Sequence, residues 1–423
     1  MKKPIKKVLD NGMRIIVVPM PGSPTVTTVA LVEAGSKYET KENNGISHFL
    51  EHMFFKGTQK RKKSIEISGE LDGLGAMSNA FTWYEYTGYY AKARAKHFKK
   101  ITDVISDMFL NSEFPEVEIE KERGVIIAEI DMYKDLPQVS VEELLDKLMH
   151  GDQPAGWSIL GPKSNIRKIS RNDFLEYRKK HYVASKTAVV VSGDVNPKEV
   201  FTEVEKKFKD ISTDKGGTKP RVVEKQSKKQ VAVKYKKTDQ SHLVIGFRTY
   251  GVKGKNNIKL KVLADVFGGS MSSRLFQSLR EELGVAYYTR SSNQAFTDTG
   301  VFSISAGVDP KRIEEVLTAI SNEIKDIKTN LVTEKELNKS KEHIMGSLSM
   351  GLEASDKVAM WIANQEMMHQ DLMTPEMLLK EIKKMTPNDI KKMANLVFKE
   401  EKMNLAIVGP HKNGEDLLKH LNV

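Results

Sequence analysis

The chain contains no cysteine. That excludes disulfides and thiolate metal sites, and it removes any mechanism built on a cysteine nucleophile. No apolar run approaches the roughly eighteen residues a transmembrane helix needs, so no membrane span is expected. The basic start Met1-Lys2-Lys3-Pro4-Ile5-Lys6-Lys7 is followed by no apolar h-region. No secretory signal is therefore visible, and the expected location is the cytoplasm. Aromatic residues are sparse, at 7%, and do not interleave with the basic clusters at Lys60–Lys63, Lys225–Lys237 and Lys253–Lys261. The net charge of +11 then reads as solvated surface and not as a nucleic-acid groove. What is present is 423 residues, 39% hydrophobic and 29% charged, enough for two globular domains with a core in each.

Along the chain, the turn Asp10-Asn11-Gly12 feeds the β-branched strand Met13–Val18. Thr25–Glu33 predicts a second strand, and Ile46–Phe55 a helix ended by Gly57. A further helix is expected at Ser64–Leu71 with Ser64 as its N-cap. Met77–Tyr90, rich in aromatics and threonine, reads as strand. Helices follow at Lys96–Leu110, Pro115–Lys134, Ser140–His150 and Asn172–Tyr182. Thr187–Ser192 predicts a buried strand; its run Ala188–Val195, leading through a glycine turn into the helix Pro197–Phe208, is echoed late in the chain by Asn404–Pro410 leading into Gly414–Leu421. Val231–Tyr235 and His242–Phe247 likewise mirror the first two strands. The polar stretch around Gly216-Gly217 and Pro220 reads as a linker. The expectation is an α+β chain of two domains of the same fold, 1–212 and 231–423, joined by 213–230, each a mostly antiparallel sheet packed with helices.

The densest chemistry lies in His48-Phe49-Leu50-Glu51-His52. Residues four apart share one helix face, so both imidazoles can grip a single metal ion, and Glu51 can reach the same face. Phe49, Leu50, Met53 and Phe54 place the motif on a helix packed inside protein. Two neutral imidazoles at this spacing suit Zn²⁺. A histidine pair alone is common on helices, so the case turns on a third ligand. The acidic candidates are Glu122 and Glu129, seven apart on one face of the Pro115–Lys134 helix, with Val125 and Ile126 between them and Met132 beyond. Carboxylates on an apolar stripe are costly unless paired or bound to metal. Gly268-Gly269-Ser270 reads locally as a glycine turn with a serine cap.

Taken together these segments resemble the pitrilysin/insulinase family of inverted-motif zinc peptidases, notably its small bacterial and mitochondrial-processing-type members. The family pattern is H-x-x-E-H, 76 residues, then the glutamate that completes the site. Residues 53 to 128 number 76, so Glu129 falls on that position. The resemblance implies one Zn²⁺ per chain held by His48, His52 and Glu129, with Glu51 as the base and Glu122 as the family's additional acidic residue. Asn79-Ala80-Phe81-Thr82 resembles its substrate-binding edge strand. Gly268–Phe276, followed by Arg280 and Tyr287, resembles the signature of its second domain, where an arginine and a tyrosine seven apart engage substrate. The implied activity is zinc-dependent cleavage of unfolded peptides or presequence-like segments. Some family members are non-catalytic subunits, but those lose motif residues that are all present here. Members enclose peptides in a chamber of four such domains, so the expected assembly is a homodimer, or a heterodimer with a paralogue, with no nucleic-acid or membrane partner.

Overall fold

The computed structural model describes residues 2–423. Its eleven strands are β1 (Ile5–Val8), β2 (Arg14–Pro19), β3 (Thr25–Val32), β4 (Met77–Thr82), β5 (Thr87–Arg94), β6 (Thr187–Gly193), β7 (Gln230–Tyr235), β8 (Ser241–Thr249), β9 (Ala286–Ala295), β10 (Gly300–Val308) and β11 (Met403–Gly409). They form two sheets, ordered β1-β2-β6-β3-β5-β4 and β7-β11-β8-β10-β9. Without β1, the two sheets have the same topology. Each starts with one parallel pair, β2 with β6 and β7 with β11, and continues through three antiparallel pairs. The echo in the sequence is thus a repeated fold. Its strongest signal, the runs Val189–Val191 and Leu405–Val408, is buried throughout, as central strands require.

The chain separates into two compact units that differ from the contiguous halves expected. One holds the residues up to Asp131, Trp157–Pro220 and Ser349–Pro375; the other holds Met132–Gly156, Arg221–Leu348 and Glu376–Val423. Each repeat gives one helix to the other repeat's sheet. The Pro137–His150 helix packs through Val141, Leu145 and Met149 on Val244, Ala406 and Val408 of the second sheet. The Ser355–Met367 helix packs on β3 and β6, where the Ser355 hydroxyl lies 2.9 Å from those of both Thr25 and Thr27. Amphipathic periodicity shows that a helix has an apolar face, but it does not say which sheet will cover that face.

In the first unit, the helices Ile46–Met53, Phe98–Asn111 and Arg171–His181 share one core with the sheet, and Phe49, Leu50, Met53 and Phe54 are fully buried in it. Burying side chains of this size stabilises by about 1.5–3 kcal/mol each. Just past the end of β3, Glu33 is buried between Arg14 and Lys186, each 3.0 Å away, with His369 Nε2 at 3.6 Å. Three local expectations differ from the structure. Met77–Tyr90 is a hairpin, not one strand; Trp83–Tyr86 make the turn without glycine or proline, closed by Trp83 N donating to Tyr86 O at 2.9 Å. Ser64 is the first helical residue and Lys63 holds the N-cap position. On the Glu116–Asp135 helix the buried stripe is Ile119, Glu122, Ile126 and Ile130, whereas Val125 and Met132 point outward.

Candidate metal centre

The Ile46–Met53 helix starts at Gly45, which has φ +101°, a left-handed conformation open to glycine at little cost. A Cβ there would also sit 2.6 Å from the Leu160 carbonyl oxygen. Gly45 has no side chain with which to cap the helix, and Glu39 takes over that task. Its buried carboxylate accepts from Gly45 N, Ser47 N and Asn44 Nδ2, each at 2.8 Å. A carboxylate at this end also meets the positive end of the helix dipole. Burial pushes the Glu39 carboxyl up, and the donors oppose that shift.

One and two turns further on, His48 and His52 stand side by side, ring centroids 4.7 Å apart. The Glu116–Asp135 helix brings Glu129 over them, with Glu129 Oε2 3.6 Å from His48 Nε2 and 3.6 Å from His52 Nε2. All three offer ligand atoms within 4.8 Å of one another, and they are the one group of this kind among the described residues. In a tetrahedral site with bonds of about 2.0–2.2 Å, neighbouring donors lie roughly 3.3–3.6 Å apart. The residues present therefore fit zinc. Burial, with His52 beside it, pushes His48 down to about 3, which keeps it in the neutral form that ligates.

Two turns before Glu129, Glu122 serves a different purpose. Its Oε1 lies 2.8 Å from His52 Nδ1 and its Oε2 2.5 Å from Lys56 Nζ. A carboxylate on Nδ1 fixes the ring so that Nε2 faces Glu129, and it raises the basicity of Nε2. Burial opposes the charge on His52, but the Glu122 hydrogen bond and the carboxylates of Glu51, Glu122 and Glu129 outweigh it and raise its pKa. Glu122 itself is depressed: burial works against ionisation, and His52 and Lys56 overcome it. Arg123, the obvious sequence partner for these acids, instead pairs with Glu120 and donates to the Ile169 carbonyl.

Glu51 points to β4, where the Thr82 hydroxyl donates to its Oε2 at 2.5 Å. Burial pushes the Glu51 carboxyl up, with Glu129 adding to the rise, against the Thr82 hydrogen bond and His52. Asn79 is exposed, Ala80 buried and Phe81 half-buried, so the four edge-strand residues do not share one environment. Arg280 and Tyr287 belong to the second unit. There Arg280 lies over the Phe276 ring at 5.2 Å and donates to the Tyr287 carbonyl at 3.2 Å, and the Tyr287 side chain is 58% exposed. Sequence reading missed Glu39, Lys56 and the hold of Thr82 on Glu51. Lys56, four residues beyond His52, was within reach of the spacing argument; Glu39 and Thr82 arrive through tertiary contacts.

Comparison with known proteins identifies the family. The model described as insulinase (peptidase family M16) matches residues 14–163, and that described as peptidase M16 inactive domain matches residues 168–344. A Bacillus subtilis protein named "Uncharacterized zinc protease YmxG" is 34% identical over 96% of this chain and 98% of its own. A Rickettsia bellii protein named "Uncharacterized zinc protease" is 33% identical over 95% of this chain and 97% of its own. In fold, the crystal structure of a protease from Helicobacter pylori superposes with a TM-score of 0.90 at 24% identity, covering 96% of this chain and 99% of that one. A peptidase M16 inactive domain from Pseudomonas fluorescens gives 0.90 at 16% identity, covering 97% and 98%. With both family models matched in order along a repeated fold, and relatives 33–34% identical over nearly its whole length, the chain belongs to the insulinase family, M16.

Proposed function

We infer that the chain is a zinc-dependent endopeptidase that cleaves extended peptides, with His48, His52 and Glu129 holding the metal. The observation that supports it most is the 3.6 Å spacing of Glu129 Oε2 from both histidine Nε2 atoms, with a separate half-buried carboxylate, Glu51, on the helix that carries both histidines. Zinc in such a site lowers the pKa of a bound water toward neutrality and polarises a carbonyl oxygen. Glu51, already biased toward accepting a proton by burial, takes the proton of the attacking water and later delivers one to the leaving amine. Thr82 fixes one Glu51 oxygen and leaves the other for that exchange. The outer edge of β4 is unpaired in the sheet, and an extended peptide can add there as a further strand.

The reading includes a homodimer in which Arg280 and Tyr287 of one chain serve the zinc of the other. An exposed tyrosine hydroxyl and a guanidinium are suited to a developing oxyanion and a substrate carbonyl. The experiment is cleavage of an unbiased peptide mixture by purified protein, with and without a chelator. Cleavage lost on chelation and restored by zinc supports the reading; metal-independent cleavage, or none, overturns it.

A further inference from the structure

The face of the first sheet opposite the Ile46–Met53 helix carries an open apolar cleft. Successive side chains on a strand point to opposite faces. On β4, Ala80 joins the core beneath that helix and Thr82 reaches Glu51, so Phe81 between them faces the other way. There Phe81, Leu31 and Tyr86 meet Met360, Trp361 and Asn364 of the Ser355–Met367 helix around a cleft of about 390 Å³. No lining side chain carries a charge, although the protein carries a net +11.

The cleft is shaped by a missing side chain. Phe81 pairs with Gly88 across β4 and β5, and its ring lies over that glycine. A Cβ at residue 88 would come within 2.4 Å of Phe81 Cζ. Tyr86 stands edge-on to Phe81, centroids 6.0 Å apart at 87°, and its hydroxyl accepts from Asn364 Nδ2 at 2.7 Å. Met77, further along β4 on the same face as Phe81, is 68% exposed, so the cleft runs on into an uncovered edge.

We propose that this cleft is a specificity subsite that takes a large apolar or aromatic side chain from a peptide paired with β4. The occupant follows from the strand geometry. A peptide added to the free edge alternates its side chains between the Glu51 face and the Phe81 face. Phe81 is one residue, about 3.3 Å along the strand, from the threonine that holds Glu51. The residue entering the cleft therefore lies within about two positions of the bond that is cut. Methionine and flat aromatic walls adapt to bulky side chains of differing shape.

This inference rests on the endopeptidase reading, so the test has two arms. In the first, cleavage sites in a peptide mixture are mapped for wild type, Trp361→Ala and Gly88→Ala. Wild type should favour a bulky apolar residue over alanine at one fixed position, by roughly tenfold or more. Trp361→Ala should flatten that ratio toward one, and Gly88→Ala, by pushing the Phe81 ring into the cleft, should shift it toward smaller residues. A ratio unchanged in both variants overturns the subsite. In the second arm, Glu51→Gln protein binds two otherwise identical peptides carrying Phe or Ala at that position, scanned along the sequence if no cleavage fixes it. Tighter binding of the Phe peptide, abolished by adding Trp361→Ala, supports the cleft even if no variant cleaves anything, an outcome that would sink the peptidase reading alone. Equal affinity for both peptides at every position overturns the subsite whatever the activity.

Discussion

The Thr82 hydroxyl donates to Glu51 Oε2 at 2.5 Å, joining the end of the edge strand to the carboxylate inside the histidine pair. A residue assigned to substrate contact by resemblance thus holds the proposed base. Thr82→Val removes the donor at nearly constant volume and should lower kcat by about one to two orders of magnitude, within the range of general-base catalysis. Thr82→Ser should restore most of it, and zinc content should be unchanged in both. Equal kcat for the valine and serine variants would contradict the role.

Glu122 is placed to orient His52, not to bind metal. Glu122→Gln keeps the size but loses the charge on His52 Nδ1 and the Lys56 partner, and should weaken zinc binding by roughly 10–100-fold. Competition with a chromogenic chelator reads this directly. Zinc affinity equal to wild type would show that the Glu122–His52 contact carries no such burden.

Glu39 anchors the start of the metal helix. Glu39→Ala leaves two backbone amides without their acceptor, while Asn44 Nδ2 keeps the Ser158 carbonyl, and should destabilise by about 2–3 kcal/mol. Glu39→Gln, which keeps one acceptor oxygen, should lose less. Urea unfolding of the metal-free proteins measures both, and near-equal stability of Glu39→Ala and wild type would refute the anchor.

What was legible in the sequence was whatever is local or periodic. His48, Glu51 and His52 share a helix, and Glu122 and Glu129 sit two turns apart on another, so spacing alone placed each set on a common face. The repeat was visible because β6 and β11 carry the buried apolar runs Ala188–Val191 and Leu405–Val408. The hairpin at Trp83–Tyr86 was hidden because its turn uses aromatic and acidic residues instead of glycine or proline. The exchange of the Pro137–His150 and Ser355–Met367 helices was hidden for a deeper reason: both sheets offer apolar faces, and only the tertiary fold chooses between them. Glu39, far from any motif in character, becomes part of the site only when the loop folds back on Gly45.

The Glu33 cluster makes a pH prediction. Burial works against its charge, but His369, Arg14 and Lys186 overcome that and hold the carboxyl at about 2, below its ordinary value of 4.5. The folded state thus binds fewer protons than the unfolded state between those values. The stabilisation, on the order of 3 kcal/mol, is complete above pH 4.5 and is lost as pH falls toward 2. Unfolding free energies of metal-free wild type and Glu33→Gln should converge by that amount over this window. A gap that does not change with pH would contradict the assignment.

Shared sites make a prediction about mixed assemblies. Glu51→Gln chains and chains carrying Arg280→Ala with Tyr287→Phe should each be inactive alone. Combined, they should regain about one working site per mixed dimer, built from the second mutant's zinc domain and the first mutant's second domain. Mixed dimers confirmed by sedimentation but without activity would mean the site is not composite.

The central claim is the division of labour between ligands and base, and zinc stoichiometry measured beside peptide cleavage tests it most directly. Wild type and Glu51→Gln should each hold one zinc per chain, while His52→Ala and Glu129→Ala should hold far less. Cleavage should survive only in wild type, with Glu51→Gln down by roughly 10²–10⁴-fold or more. Full zinc in His52→Ala and Glu129→Ala, or wild-type turnover by Glu51→Gln, would contradict the account.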